Sequence, residues 1–169
     1  MLRARRALGR VAKPSGIETG EPAGYIPAMK AARFRPPHLN LFTRLKPSPG
    51  RGIGVFAIRD IPAAVDPFLG DRNESVEVSV EWVESIEDPE LRRMYLDFCP
   101  VVDGFFIAPI DFNQMAQSWY LNHSDEPNVG CDANMAFKTK RAINSGEELT
   151  TDYRTFSEHA HRIIASSWA

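Results

Sequence analysis

WYLNHSDEPN (Trp119 to Asn128) and SGEELTTDY (Ser145 to Tyr153) bracket the part of the chain whose reading decides the fold. The first stretch puts Asn122, His123, Ser124, Asp125 and Asn128 within seven positions, with Pro127 among them. It therefore reads as a polar loop rather than a strand or helix. Short amide and hydroxyl side chains at this density can satisfy many backbone groups. The second stretch sets a Gly-Glu-Glu turn before Leu149 and then an Asp-Tyr pair, so one ionisable phenol, Tyr153, ends the segment. Taken alone, an Asn-His-Ser run is most often a turn with a satisfied histidine, and an Asp-Tyr pair carries no information.

Upstream lies a third stretch, PSPGRGIGVFAIRDIP (Pro47 to Pro62). Leu41 to Leu45 alternates in part, Lys46 to Gly52 supplies two prolines and two glycines for a turn, and Ile53 to Ile58 is a β-branched and aromatic run. An ordinary hairpin would need these glycines only for turn geometry. The functional reading is that Gly52 and Gly54 lack side chains so that the backbone can approach a bound molecule closely.

With all three stretches in view, the sequence resembles the SET-domain family of protein lysine methyltransferases. The family's GxG followed by a small apolar run is matched by Gly52-Ile53-Gly54-Val55-Phe56-Ala57. Its NHSCxPN loop is matched at Asn122, His123, Ser124, Pro127 and Asn128, and its GEEL-x-x-DY close at Gly146, Glu147, Glu148, Leu149, Asp152 and Tyr153. The three motifs stand in the family's order over residues 42 to 156.

The resemblance implies a mostly β fold with short helices (α+β), the SET-domain β-clip, whose last segment threads under an earlier loop as a pseudoknot. Ser124, Asp125 and Asn128 would hold that crossing. It implies S-adenosylmethionine, with S-adenosylhomocysteine as product and no metal. Arg51, Gly52, Ile53, Gly54, Asn122 and His123 would hold the cofactor, His123 largely through its backbone, and Phe156 or Trp168 would supply an aromatic lid. Tyr153 stands where the family keeps its catalytic tyrosine, and Tyr120 and Thr151 would line the lysine channel with it. A free phenol with a pKa of about 10 is a poor base at neutral pH, so the role implied for Tyr153 is hydrogen bonding and orientation. Asp125 replaces the usual cysteine, Thr151 a common aromatic of the channel, and Trp119 a frequent arginine; the small Thr151 leaves the number of methyl groups added open. Phe68-Leu69-Gly70-Asp71 stands where relatives often carry aromatic-x-Gly-Glu.

Composition is that of one domain: 169 residues, 43% apolar, with no run of 18 or more apolar residues for a membrane helix. The two cysteines, Cys99 and Cys131, and the four histidines show no zinc spacing. Nothing marks a secreted disulfide scaffold, so a reducing compartment is expected, cytoplasmic or, in a eukaryote, nuclear. The near-zero net charge hides an asymmetry. Residues 1–50 hold ten Lys or Arg against Glu18 and Glu21, a balance of plus eight; that leaves ten against twenty acids in residues 51–169, a balance of minus ten. An acidic body attracts a cationic partner and repels nucleic acid, which suits a lysine-bearing basic protein or peptide as substrate. Histones, ribosomal proteins and the chain's own Lys13 or Lys30 all qualify, while the oligomeric state is not legible.

Residues 1–38 read as a flexible basic arm, broken by Pro14, Gly16, Gly20, Pro22, Gly24 and Pro27. A transit peptide, a weak nucleic-acid-binding arm, or upstream sequence ahead of a start at Met29 are the competing readings. The catalytic domain is expected over residues 39–156, with a variable insert at 71–118 and a tail, 157–169, closing over the cofactor. Within the insert, Val76 to Val83 alternates. Asp88-Pro89 starts an amphipathic helix that Cys99-Pro100 stops, and Asp103-Gly104 turns a hairpin between Val101-Val102 and Phe105 to Ile107. Asn113 is placed to cap a short helix, Gln114 to Tyr120, and Met135 to Ile143 reads as a strand whose Lys138, Lys140 and Arg141 face solvent. Two other functions compete: a catalytically silent SET-like module that binds tails or partners, and a thiol hydrolase built from Cys99 or Cys131 with His123.

Overall fold

A computed structural model describes residues 38–71, 74–132 and 134–165. All belong to one unit, Pro37–Ala169; the basic arm and Trp168 lie outside the described residues. The glycine-rich stretch folds back on itself as the sequence predicts, with Thr43–Ser48 (β1) antiparallel to Gly52–Ala57 (β2) and Ser48 opposite Gly52. The turn is tighter than expected. Lys46, Pro47 and Ser48 stay in the strand, and only residues 49–51 loop, with Arg51 N–H donating to the Ser48 carbonyl at 3.0 Å. Pro47 is tolerated because β1 is a sheet edge, where a missing N–H breaks no interior ladder. Gly50 and Gly52, at φ 71° and 72°, supply the left-handed backbone that this turn requires.

The segment after the hairpin builds a second layer. Ser75–Ser79 (β3) pairs with Phe105–Pro109 (β5), which pairs in turn with Val101–Val102 (β4). Asp103 and Gly104, both at positive φ, make the expected turn. The alternation read over Val76 to Val83 ends at Ser79. The Ser79 hydroxyl accepts from Trp82 N–H at 3.2 Å and caps a helix, Val80–Glu84 (α1), so a cap overrides the strand pattern. The next helix, Pro89–Phe98 (α2), has the expected bounds: the Asp88 carboxylate accepts from the N–H groups of Glu90 and Leu91, with Pro89 in the first turn. Downstream, Asp111 rather than Asn113 is the cap, and the predicted helix is two 3₁₀ turns, Phe112–Gln114 and Gln117–Tyr120.

The polar loop is in part a strand. Asn122–His123 (β6) runs parallel to Glu148–Thr151 (β9), whose other edge pairs antiparallel with β2, giving the order β1-β2-β9-β6. Val129–Cys131 (β7) and Phe137–Thr139 (β8) form a separate ribbon. The strand expected over Met135 to Ile143 is thereby shortened, since the Asp132 carboxylate accepts from Asn134 and Ala136 N–H and Met135 takes φ 59°. Helix Ala160–Ala165 (α3) closes the described chain. Two cores result. Val55, Ala57, Ile61, Phe68, Leu121, Val129, Ile143 and Leu149 pack under the four-stranded sheet; Val83, Cys99, Val101, Phe106 and Ala108 fill the layer made by residues 71–118. Each fully buried Val, Leu or Ile contributes about 1.5–3 kcal/mol. The mostly β architecture with short helices is the one expected.

Candidate active site

The site is built where β9 lies between β2 and β6. Asn128, 4% exposed, clasps this strand. Its amide donates to Glu147 Oε1 (3.0 Å) and to the Glu148 carbonyl (2.8 Å), and its Oδ1 accepts from Thr150 N–H (2.9 Å). Ser124 N–H adds a bond to the Thr151 carbonyl at 3.0 Å, and the exposed Asp125 pairs with Arg154 at 2.8 Å. The three residues expected at the loop crossing thus all bind the segment that carries Tyr153.

Two cavities flank that segment. The larger, about 300 Å³, is lined by Arg51, Gly52 and Ile53 of the hairpin, by Trp119 to His123, and by Asp97, Phe98, Tyr153, Ile163 and Ile164. The smaller, about 50 Å³, is mainly apolar and lined among others by Pro100, Phe137, Thr151 and Phe156. Leu121 and Tyr153 line both, as do Asp97, Phe98, Trp119 and Ile163. The Tyr153 hydroxyl donates to the Leu121 carbonyl at 2.5 Å, and burial pushes the phenol up to about 12. The group is therefore a neutral donor at pH 7. His123 Nδ1 accepts from Tyr153 N–H at 3.4 Å, which in the neutral ring leaves the proton on Nε2, facing Asp125.

Beside the larger cavity, one carboxylate gathers three donors. Glu148 accepts from Asn122 Nδ2 (2.8 Å) at Oε1, and from Ser48 Oγ (3.0 Å) and Arg51 (3.0 Å) at Oε2. Arg51 also donates to the His123 carbonyl at 3.2 Å, and Asn122 to the Ile53 carbonyl at 3.2 Å.

Against the sequence reading, the hairpin, the Asn-His strand and Tyr153 do converge, but three assignments change. Gly54 does not line the cavity: a Cβ there would fall on the Glu148 carboxylate and 2.9 Å from Asn122 Nδ2, so the glycine makes room for these side chains rather than for a bound molecule. Phe156 faces the smaller cavity, 6.0 Å from the Tyr153 ring, and the larger one takes its aromatic wall from Phe98, Trp119 and Tyr120. Tyr120 lines the larger cavity and not the smaller one, where Thr151 stands, 1% exposed. From the tail, Ile163 and Ile164 reach the larger cavity.

Sequence reasoning missed Glu148, although it quoted the motif that contains it, because a carboxylate's partners on two other strands leave no local signal. It gave Phe98 no part in the site, for the same reason. The thiol reading fails: burial pushes Cys99 up to about 12 and Cys131 to about 11, and neither lines a cavity with His123. Among the described residues, no group of three or more His, Cys, Asp or Glu could hold a metal, and no helix is long and apolar enough to cross a membrane.

A family model described as SET domain matches residues 52–154. The histone-lysine N-methyltransferase SET5 of Yarrowia lipolytica is 40% identical over 62 residues, a match that takes in 34% of this chain and only 14% of that protein. A solved Plasmodium falciparum structure, described as a candidate histone methyltransferase, is 19% identical and covers 67% of this chain and 93% of its own, with a TM-score of 0.45. The family match begins at β2, contains the Asn-His strand and ends one residue beyond Tyr153, so it takes in Asn122, His123, Glu148 and Tyr153 but not Ser48, Arg51, Ile163 or Ile164. The chain belongs to the SET-domain family.

Proposed function

We propose that the protein transfers a methyl group from S-adenosylmethionine to the ε-amine of a lysine in a basic protein substrate. The observation that carries this reading is the shared wall: the larger cavity and the small, mainly apolar one have Leu121 and Tyr153 in common, joined by the bond from the Tyr153 hydroxyl to the Leu121 carbonyl, together with Asp97, Phe98, Trp119 and Ile163. Methyl transfer between two bound molecules needs such a junction, because the chain's contribution is chiefly alignment.

The larger cavity fits the cofactor in size and character. It falls at the lower end of the range for small-molecule sites and joins Arg51, Asn122 and His123 to an apolar wall of Phe98, Trp119, Tyr120, Ile163 and Ile164. Arg51 and Asn122 are suited to a carboxylate and an ammonium, and the aromatic wall to a flat base. When bound, the cofactor supplies an electrophilic methyl on a positive sulfonium. The smaller cavity strips water from an entering lysine, and this desolvation lowers the amine's pKa toward the neutral, reactive form. Tyr153, protonated at neutral pH and tied to the Leu121 carbonyl, orients the amine and leaves proton removal to solvent.

Substrate chemistry follows from what surrounds the small cavity. Met135 and Phe156 line both it and an open groove of about 610 Å³ that carries Glu77, Asp132 and Glu158 against Arg154. Arg154 is already paired with Asp125 and Asp152. An extended peptide with basic residues suits such a groove, and histone-like tails are one class of candidate. The test is incubation with methyl-labelled cofactor and an array of lysine peptides, read by mass spectrometry. Tyr153→Phe should lower turnover at least tenfold, about 1.4 kcal/mol in the barrier, with cofactor binding nearly kept. Turnover equal to the parent's in that variant would refute the role. A parent protein that binds no cofactor in calorimetry would favour the silent-module reading.

A further inference from the structure

Glu148 faces neither cavity, yet it touches the two side chains best placed to hold the cofactor's polar end. Its own side chain is only 13% exposed. We infer that Glu148 is a positioning residue: it presets Arg51 and Asn122 as one ligand-ready pair. This rests on the proposed use of S-adenosylmethionine.

The geometry works through the amide. Asn122 has two N–H bonds, and both are engaged, one by Glu148 Oε1 at 2.8 Å and one by the Ile53 carbonyl at 3.2 Å. The amide is thereby held in one of its two flip states, and Oδ1 is left as an acceptor on a cavity-lining residue. An acceptor there selects a donor, such as an α-ammonium. Without Glu148 the amide could flip and present N–H groups, which would repel that ammonium.

The second half works through charge. Arg51, which lines the larger cavity, reaches from the hairpin to β6 and β9, donating to the His123 carbonyl at 3.2 Å and to Glu148 Oε2 at 3.0 Å. Arginine has five N–H donors, so this anchoring leaves others for a carboxylate. Held in place before binding, the guanidinium loses little side-chain freedom when the ligand arrives. Ser48 Oγ, at 3.0 Å from the same oxygen, keeps the carboxylate itself in register. Gly54 completes the arrangement, because any Cβ there would displace the Glu148 carboxylate.

The prediction separates two parts of the network. Glu148→Gln keeps an acceptor for Asn122 but sets an amide against Arg51, so it isolates the arginine half. Glu148→Met has a similar shape and removes both. Titration calorimetry with S-adenosylmethionine on the full chain should show the Gln variant weakened about fivefold and the Met variant about thirtyfold or more, in line with hydrogen bonds to a charged group. The KM for a peptide substrate should change less than twofold in both, a split that a general loss of structure would not give. Thermal melting of each variant without ligand checks that it folds. Should the Met variant fail to fold, the Gln variant and Gly54→Ala, expected to weaken binding at least fivefold, carry the test. Unchanged affinity in a folded Gln or Met variant overturns the positioning role alone. A parent protein that shows no binding overturns both this role and the cofactor assignment.

Discussion

Replacing Asn128 by alanine tests whether β9, the strand that leads into Tyr153, is clasped as described. The substitution deletes three side-chain hydrogen bonds, and two of these serve backbone groups of β9, the Thr150 N–H and the Glu148 carbonyl. β9 lies between two strands, with Leu149, Thr150 and Thr151 buried, so water cannot easily replace the lost partners. Each orphaned buried group costs about 1–3 kcal/mol. The third bond, to the partly exposed Glu147, adds little. The expected loss is about 3–5 kcal/mol, at the upper end for single substitutions. That corresponds to a fall in melting temperature of roughly 10–15 °C for a domain of this size. Urea unfolding followed by circular dichroism gives the free energy, and a melt gives the midpoint. Asn128→Asp keeps the acceptor for Thr150 but forfeits both donations and sets a carboxylate beside Glu147, so it should be at least as damaging at pH 7. A loss below about 1 kcal/mol in the alanine variant would refute the clasp.

Two further outcomes follow from charges nearby. Glu147 is held down to about 2, first by its hydrogen bond with Arg141, then by Asn128 and the Asn144 N–H. Its folded pKa lies below its unfolded value of 4.5, so its stabilisation is present above about pH 4.5 and is lost as pH falls toward 2. Urea midpoints should drop over that window and drop less in Glu147→Gln; equal slopes in the two proteins would contradict the assignment. Asp125, by contrast, is 81% exposed and its partner Arg154 is 54% exposed. Restoring the family's usual residue with Asp125→Cys should change stability by no more than about 0.5 kcal/mol. A loss above 1 kcal/mol by urea unfolding would mean the pair matters more than its exposure allows.

Local signals were legible and long-range ones were not. Asp88-Pro89 and Cys99-Pro100 bound α2 because a cap and a proline act within a turn of the helix, and Asp103-Gly104 fixes its hairpin in the same way. Pattern alone misled at Val80 to Val83, where one serine hydroxyl turned an alternating run into a helix. It misled again at Met135, where Asp132 bends the chain. The two-residue strand β6 could not be read at all, since what makes it a strand is β9, some 28 positions on. The motifs located the site because they name the residues that meet, whatever their separation. They did not say which way each side chain points, and so not which cavity Tyr120 and Phe156 line or that Gly54 faces Glu148.

Leu121 shows why direction matters. Its side chain is buried among Val55, Val129 and Leu149, so the core fixes the orientation of its peptide group. The carbonyl that remains is the one Tyr153 binds, and both residues line both cavities. The position of the phenol is thus set by hydrophobic packing on one side and by the Asn128 clasp on the other. A Leu121→Ala change, which touches no polar group, should therefore disturb the junction as well as the core. Its cavity cost of about 2–5 kcal/mol would come with lost turnover beyond what the unfolded fraction explains. Turnover per folded molecule equal to the parent's would separate the core from the chemistry and sink this coupling.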